Sequence, residues 1–325
     1  MKAPGFLRGR HLPLWATGAT FAVFFGVASF CYRGFFSAGV ATSLLSDNAF
    51  LGIVAVGMTL VIFAGGIDLS VGAVVGFTAI FTATMVSGHG MAPVAAWTLA
   101  LLLGAALGAF MGTLIHVFRL PPFLITLAGM FLARGAGYWI NTESVGIQHP
   151  LYDRLAGFDL AFGKTVHLPV TALALLAVLL AGYGVAHHMR FGRTLLAVGG
   201  SEQSALLMGL RVGAAKIAVY TISGACAALA GIVATLYTGS GNPSMDTGLE
   251  LDAIAVVVIG GTLLTGGRGH VLGTLMGLLI FGTIQSAILF DGRLSSWWMR
   301  IVVGALLLVF ILLQRFLIRG AARRR

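Results

Sequence analysis

Few side chains in this 325-residue sequence are equipped for chemistry, and they stand far apart. Asp68 and Ser70 follow a double glycine, Arg134 lies inside an apolar run, and Glu250 and Asp252 open another, with Thr262, Thr265 and Gln285 beyond them. His187 and His188 are adjacent, but no third ligand stands at a useful spacing, so they read as boundary residues and not as a metal site. Gly163-Lys164-Thr165 ends like a phosphate-binding loop, yet Phe158 occupies the place of its first glycine. No apolar run holds the paired acids or acid–histidine relay of a proton-coupled carrier. No cluster of His, acid and Cys converges at one face as a membrane enzyme would need, so no residue is assigned a catalytic role. What remains is a set of hydroxyl, amide and guanidinium groups in apolar surroundings. Such groups suit a wall that replaces water around a polar solute.

Each has a structural alternative. Asp68 is placed to cap the helix that follows it, with Ser70 assisting. Arg134 either lines a solute path or snorkels outward. Glu250 and Asp252 either meet a solute or partner at a mouth or cap their own helix. Thr262, Thr265 and Gln285 are wall candidates. Cys31 and Cys226 lie in apolar runs and read as packing residues.

The elements that must position these groups are membrane helices. The chain is 58% hydrophobic and 9% charged, against about 25% charged for a soluble domain. Ten apolar runs of spanning character occupy 12–32, 48–64, 69–86, 91–118, 121–140, 168–186, 215–237, 251–264, 271–290 and 297–317. The fold class is therefore an all-α polytopic membrane protein of about ten spans, with an eight-span reading if the short segments are re-entrant. Lys2, Arg8 and Arg10 precede the first run like a signal peptide, but that run is too long for one and reads as a retained helix.

A stretch occurs twice. Gly65, Gly66, Gly72 and Gly76 fall in register on Gly266, Gly267, Gly273 and Gly277, each set flanked by apolar runs. Interrupted apolar segments at matching positions point to a transporter core built on an internal duplication. The second and eighth runs, short and ending at the double glycines, must then face the bundle interior, where broken backbone is tolerated. The chain reads as one transmembrane domain over 1–325, with repeat cores at about 48–118 and 250–317.

The net charge of +10 is not a nucleic-acid footprint, since no basic soluble module is present. Basic residues instead gather in alternate loops, among them Arg119, Arg190, Arg193, Arg211, Lys216 and Arg268, while Asp47, Glu143, Asp153, Asp159, Asp246 and Asp291 fall in the others. The positive-inside rule then puts both termini in the cytoplasm. The external loop at 141–168 reads as a connector or a docking ledge. In the inner loop at about 187–216, Ser201 caps a short helix carrying Glu202 in its first turn. Ala205, Leu206, Met208 and Gly209 offer a small apolar surface there.

Several stretches resemble the permease subunits of bacterial ATP-driven (ABC) sugar importers of the ribose, xylose and galactoside type. They are Asp47-Asn48-Ala49-Phe50-Leu51-Gly52-Ile53, Gly65-Gly66-Ile67-Asp68-Leu69-Ser70-Val71-Gly72, and Phe191-Gly192-Arg193 followed by Gly199-Gly200. Glu250-Leu251-Asp252-Ala253-Ile254-Ala255 and Gly260-Gly261-Thr262-Leu263-Leu264-Thr265-Gly266-Gly267 complete the set. Within that family, the stretch from Pro122 to Gly135 and Leu294-Ser295-Ser296-Trp297-Trp298 are similar to a permease of galactofuranose importers. Arg268 and His270 depart from the family pattern by adding basic character to the second turn. The resemblance implies a translocation pathway made with a second permease, identical or homologous, in the bacterial inner membrane. It also implies a cytoplasmic ATPase chain that uses the ATP, a periplasmic sugar-binding protein, and no cofactor on this chain. Gly199, Gly200, Glu202, Ala205 and Gly209 match the family's coupling region, and Gly65, Gly66, Gly266 and Gly267 become candidate hinges.

Overall fold

The structure, a computed structural model, describes residues 12–162, 166–245, 247–293 and 297–322. The Gly163-Lys164-Thr165 stretch, Asp246, 294–296 and the basic residues before 12 and after 322 lie outside the described residues.

Helices occupy all ten expected positions. They are α1 (Leu12–Cys31), α3 (Ala49–Phe63), α4 (Val71–Ala83), α5 (Pro93–Val117), α6 (Pro122–Ile140), α8 (Val170–Tyr183), α11 (Val212–Thr238), α12 (Leu249–Ile259), α13 (Val271–Asp291) and α14 (Trp297–Ala322). Four shorter helices join them: α2 (Ala38–Ser46), α7 (Pro150–Ala156), α9 (Arg190–Gly200) and α10 (Glu202–Leu207). Single π-helical turns extend α4 over Thr84–Gly88 and α8 over Gly184–His188. Among the described residues, seven helices are long and apolar enough to cross a membrane unaided, and α2 with α3, bent by 56°, makes an eighth. The count of ten therefore needs qualification. With 11 residues, α12 rises only about 16 Å, about half of a hydrocarbon core.

The core is built around α3, in which every residue but Phe50 is buried. It is enclosed by α11, α12, α8 and α13. This agrees with the expectation that the short, glycine-terminated segments face inward. The tightest pairing is α5 on α11, where Gly104, Gly108 and Gly112 meet Gly224, Tyr220 and Ile217. A Cβ on Gly104 would lie 2.7 Å from the Gly224 carbonyl oxygen, so the seam closes backbone on backbone, as small-residue interfaces in membranes do.

One end of the bundle carries the α5–α6 corner, α9, α10 and the two glycine breaks at 64–70 and 260–270. The other carries more structure than a connector. The segment 141–168 contains α7, two short strands, β1 (Val145–Gly146) and β2 (Asp159–Phe162), and the start of a third. β1 pairs antiparallel with β4 (Ser240–Gly241), and β2 pairs with β3 (Val166–Pro169). Tyr152 of α7 anchors this layer. Its hydroxyl accepts from Trp97 Nε1 at 2.9 Å and shares a 3.1 Å hydrogen bond with Thr235, and burial raises its pKa above the usual tyrosine value. Cys226 is partly buried against Gly57, but Cys31 is exposed, contrary to the packing role read for it.

Candidate functional site

The two glycine breaks meet. The Gly267 amide donates to the Phe63 carbonyl at 3.1 Å, joining the end of α3 to the turn before α13. Gly65 and Gly266, equivalent in the duplicated register, are both left-handed, with φ of 78° and 82°. That conformation is open to glycine and strained for most side chains. A Cβ on Gly266 would lie 2.7 Å from Gly65 N and 3.1 Å from Gly199 Cα. One on Gly267 would lie 2.8 Å from Gly200 Cα, and one on Gly199 would overlap the Phe63 carbonyl. Three backbone segments thus converge, with no room for a methyl group. The third is the carboxyl end of α9, in the loop at 187–216. Gly66 faces the Tyr220 hydroxyl, which is buried and has no hydrogen-bond partner.

Asp68 closes the first break. Its Oδ1 accepts from Ser70 N at 3.0 Å and from Ser70 Oγ at 2.6 Å, and its Oδ2 accepts from Ser223 Oγ of α11 at 2.7 Å. Thr126 of α6 donates to the Ile67 carbonyl at 3.2 Å. Both carboxylate oxygens are therefore engaged within the chain at the head of α4. The second break solves the same problem differently. Gly269 stands where Asp68 does in the first copy, and the α13 amino end is served by imidazoles. His270 Nδ1 accepts from Leu272 N at 3.1 Å, and His187 Nε2 accepts from Val271 N at 3.3 Å, with the two rings stacked 4.0 Å apart. Among the described residues, no group of three His, Cys, Asp or Glu could hold a metal.

The wall candidates divide. Thr262 is buried beside Phe63 and Gly269, near the junction, while Thr265 is exposed. Arg134 is half-buried, and its Nη1 donates to the Pro243 carbonyl at 3.0 Å and the Met245 carbonyl at 3.4 Å, tying α6 to the loop before α12. Glu250 and Asp252 lie in the first turn of α12, but the cap residue is Gly248, with φ 97° and no side-chain cap. They complement the helix dipole without capping it. Arg300 and Glu250 are the charged neighbours of Asp252. Gln285 is exposed on α13 and joins neither group. A buried threonine pair was not singled out from the sequence: Thr59 and Thr274 share a 2.7 Å hydrogen bond between the two glycine-broken units.

The loop at 187–216 forms a compact knob. Ser201 Oγ accepts from Ser204 N at 3.2 Å, as the cap reading requires. Glu202 pairs with Lys216 of α11 at 2.7 Å. Gly209, with φ 74°, ends the short helix, and Leu210 N reaches back to the Ala205 carbonyl at 3.1 Å. Ala205 is buried against Val198 and Val212, so it holds the knob in place and does not belong to its surface. That surface is Leu206, Leu207 and Met208, which are 56%, 84% and 66% exposed.

Residues 40–311 match a family described as branched-chain amino acid transport system / permease component. The chain is 49% identical over 306 residues to the inner membrane ABC transporter permease protein YjfF of Escherichia coli (strain K12), covering 94% of this chain and 92% of that one. It is 39% identical over 331 residues to the fructose import permease protein FruG of Bifidobacterium longum (strain NCC 2705), covering 97% and 95%. It is 37% identical over 293 residues to the ribose import permease protein RbsC of Escherichia coli (strain K12), covering 90% of each. No solved structure matches. With buried glycine-broken helices, an exposed knob at 201–209 and a family match over most of its length, this chain belongs to the permease components of that transport family.

Proposed function

We propose that the chain is one half of the translocation pathway of an ATP-driven monosaccharide importer, in the bacterial inner membrane with both termini cytoplasmic. The observation that carries the mechanism is the junction of Gly199 with Gly65, Gly266 and Gly267. An ATPase subunit pressing on Leu206, Leu207 and Met208 would move α9. Because α9 ends inside the junction, its displacement reaches the ends of both glycine-broken helices at once. The hinge role of Gly65, Gly66, Gly266 and Gly267 and the coupling role of the Gly199–Gly209 segment are parts of this reading.

Sugar as the cargo is supported by the ribose and fructose named for two relatives. Galactofuranose is the specific sugar we put forward, on the similarity of the Pro122–Gly135 stretch. A ribose- or xylose-type substrate is the alternative within the same family. Arg134, Glu250 and Asp252 are candidates for the outer part of the path and Thr262 for the inner part. Gln285, exposed on α13, would face a second permease. Asp68 and Ser70 hold the path's shape, since their polar atoms bind each other. A separate ATPase, a second permease and a sugar-binding protein complete the importer. Repeat cores at about 48–118 and 250–317 and a coupling loop at about 187–216 within one domain are the matching organisation.

The test is ATPase activity in proteoliposomes containing this chain and its partner subunits, with a binding protein loaded with furanose or pyranose sugars. Stimulation by galactofuranose supports the full reading. Stimulation by another sugar discards the galactofuranose assignment alone. Solute uptake driven by an ion gradient without any ATPase rejects the importer.

A further inference from the structure

A cavity of about 610 Å³ lies between the α5–α6 corner and α10, lined by His116, Arg119, Pro121, Glu202, Leu206 and Lys216 among others. Arg119 is the one non-glycine residue with a positive φ, 53°, among the described residues. A bulky side chain held in that conformation marks a position fixed by its surroundings. Lys216 and Glu202 neutralise each other in the ion pair described above, the one ion pair among the described residues. Arg119, exposed at the cavity, is left uncompensated. The His116 ring packs so closely on Gly213 that any larger residue would overlap it, which seats the imidazole at the cavity wall. Immediately outside, Val117, Phe118, Phe123 and Leu124 are 60%, 65%, 55% and 53% exposed, an apolar belt around the corner.

We propose that this cavity binds the phosphate headgroup of an anionic phospholipid, with Arg119 and His116 donating to the phosphate and the acyl chains lying along Val117, Phe118 and Phe123. A guanidinium offers forked donors that match phosphate oxygens. Basic pockets between membrane helices are suited to anionic headgroups. A zwitterionic headgroup brings its own cation towards Arg119 and is disfavoured. Glu202 and Leu206 form the opposite wall, so a seated lipid touches the knob. Any effect of lipid on coupling rests on the importer reading, whereas the binding itself does not.

The test is lipid retention by native mass spectrometry of the chain, purified with the subunits that accompany it and offered phosphatidylglycerol or phosphatidylcholine. Wild type, Arg119→Asn, Arg119→Lys and His116→Gln are compared. Asparagine removes the charge while tolerating left-handed backbone. Wild type and Arg119→Lys should prefer phosphatidylglycerol, and the preference should fall about fivefold in Arg119→Asn. His116→Gln should weaken it less and serves as the second arm if Arg119→Asn does not accumulate. Equal preference in all chains overturns the proposal. Displacement of phosphatidylglycerol by inorganic phosphate marks a free-anion site and overturns the lipid assignment. Sugar-stimulated ATPase of wild type in the same lipids reports on the importer reading separately.

Discussion

Gly199 of α9 stands against the Phe63 carbonyl, and a Cβ added to it would lie 2.6 Å from Gly267 N, so one glycine touches both breaks of the helical core. Its neighbour Gly200 has nothing within 4 Å of the equivalent position. Adjacent residues of one type therefore carry opposite expectations. Gly199→Ala should destabilise by about 1–3 kcal/mol, the range for overpacking, and should uncouple transport. Gly200→Ala should stay within about 0.5 kcal/mol. Thermal unfolding in detergent and uptake in vesicles check both. Equal behaviour of the two variants would remove the junction from the mechanism.

The α5–α11 seam gives a second contrast. A Cβ on Gly108 would overlap the Tyr220 carbonyl, whereas Gly135 on α6 is open. Gly108→Ala should force the helices apart, costing about 1–3 kcal/mol and lowering the amount of chain in the membrane. Gly135→Ala should be neutral. Quantifying membrane-inserted, protease-resistant chain for each variant decides the matter.

Much of this frame was legible in the residues. The register that sets Gly65 on Gly266 is matched by a shared left-handed backbone, and Ser201 caps the helix it was expected to cap. Turn and cap chemistry is local, so sequence reports it directly. Ser223 was not found, and its hydrogen bond to Asp68 spans 155 residues. Thr59 and Thr274 are 215 apart. Both Thr59 and Ser223 lie on helix faces buried against other helices. An amphipathic pattern exists only where one face meets a different medium, and α3, buried nearly all round, displays none. Ala205 misled for a related reason. Alanine fits either face of a short helix, and only the docking of Val198 and Val212 decides which.

Asp68 should behave as a structural residue. Asp68→Ala leaves Ser70 N, Ser70 Oγ and Ser223 Oγ without their acceptor in a buried setting. Each unsatisfied buried donor costs about 1–3 kcal/mol. Asp68→Asn keeps an acceptor for Ser70 and should lose less. Ser223→Ala leaves only Asp68 Oδ2 without its donor, one unmet group against three, and should cost about 1–3 kcal/mol. The order Ala, then Asn, then the Ser223 variant, read as falling loss of thermal stability, is the expected result. Normal stability with abolished transport in Asp68→Asn would assign the carboxylate to the solute path instead.

The knob separates stability from coupling. Leu207 is 84% exposed, so Leu207→Asp removes no internal contact of consequence and should leave thermal stability within about 0.5 kcal/mol. If an ATPase groove covers Leu206, Leu207 and Met208, the introduced carboxylate is desolvated on docking without a partner, a penalty of about 1–3 kcal/mol or more. Association should then weaken about fivefold or more, and stimulated ATPase activity should fall with it. The Glu202–Lys216 pair is the matching control. Being partly exposed, it contributes about 0–1 kcal/mol, so exchanging the two charges should change stability little. Co-purification of the ATPase with each variant reads the outcome. Loss with Leu207→Asp and retention with the charge exchange would assign docking to the apolar tip of the knob, whereas the reverse would assign it to the ion pair.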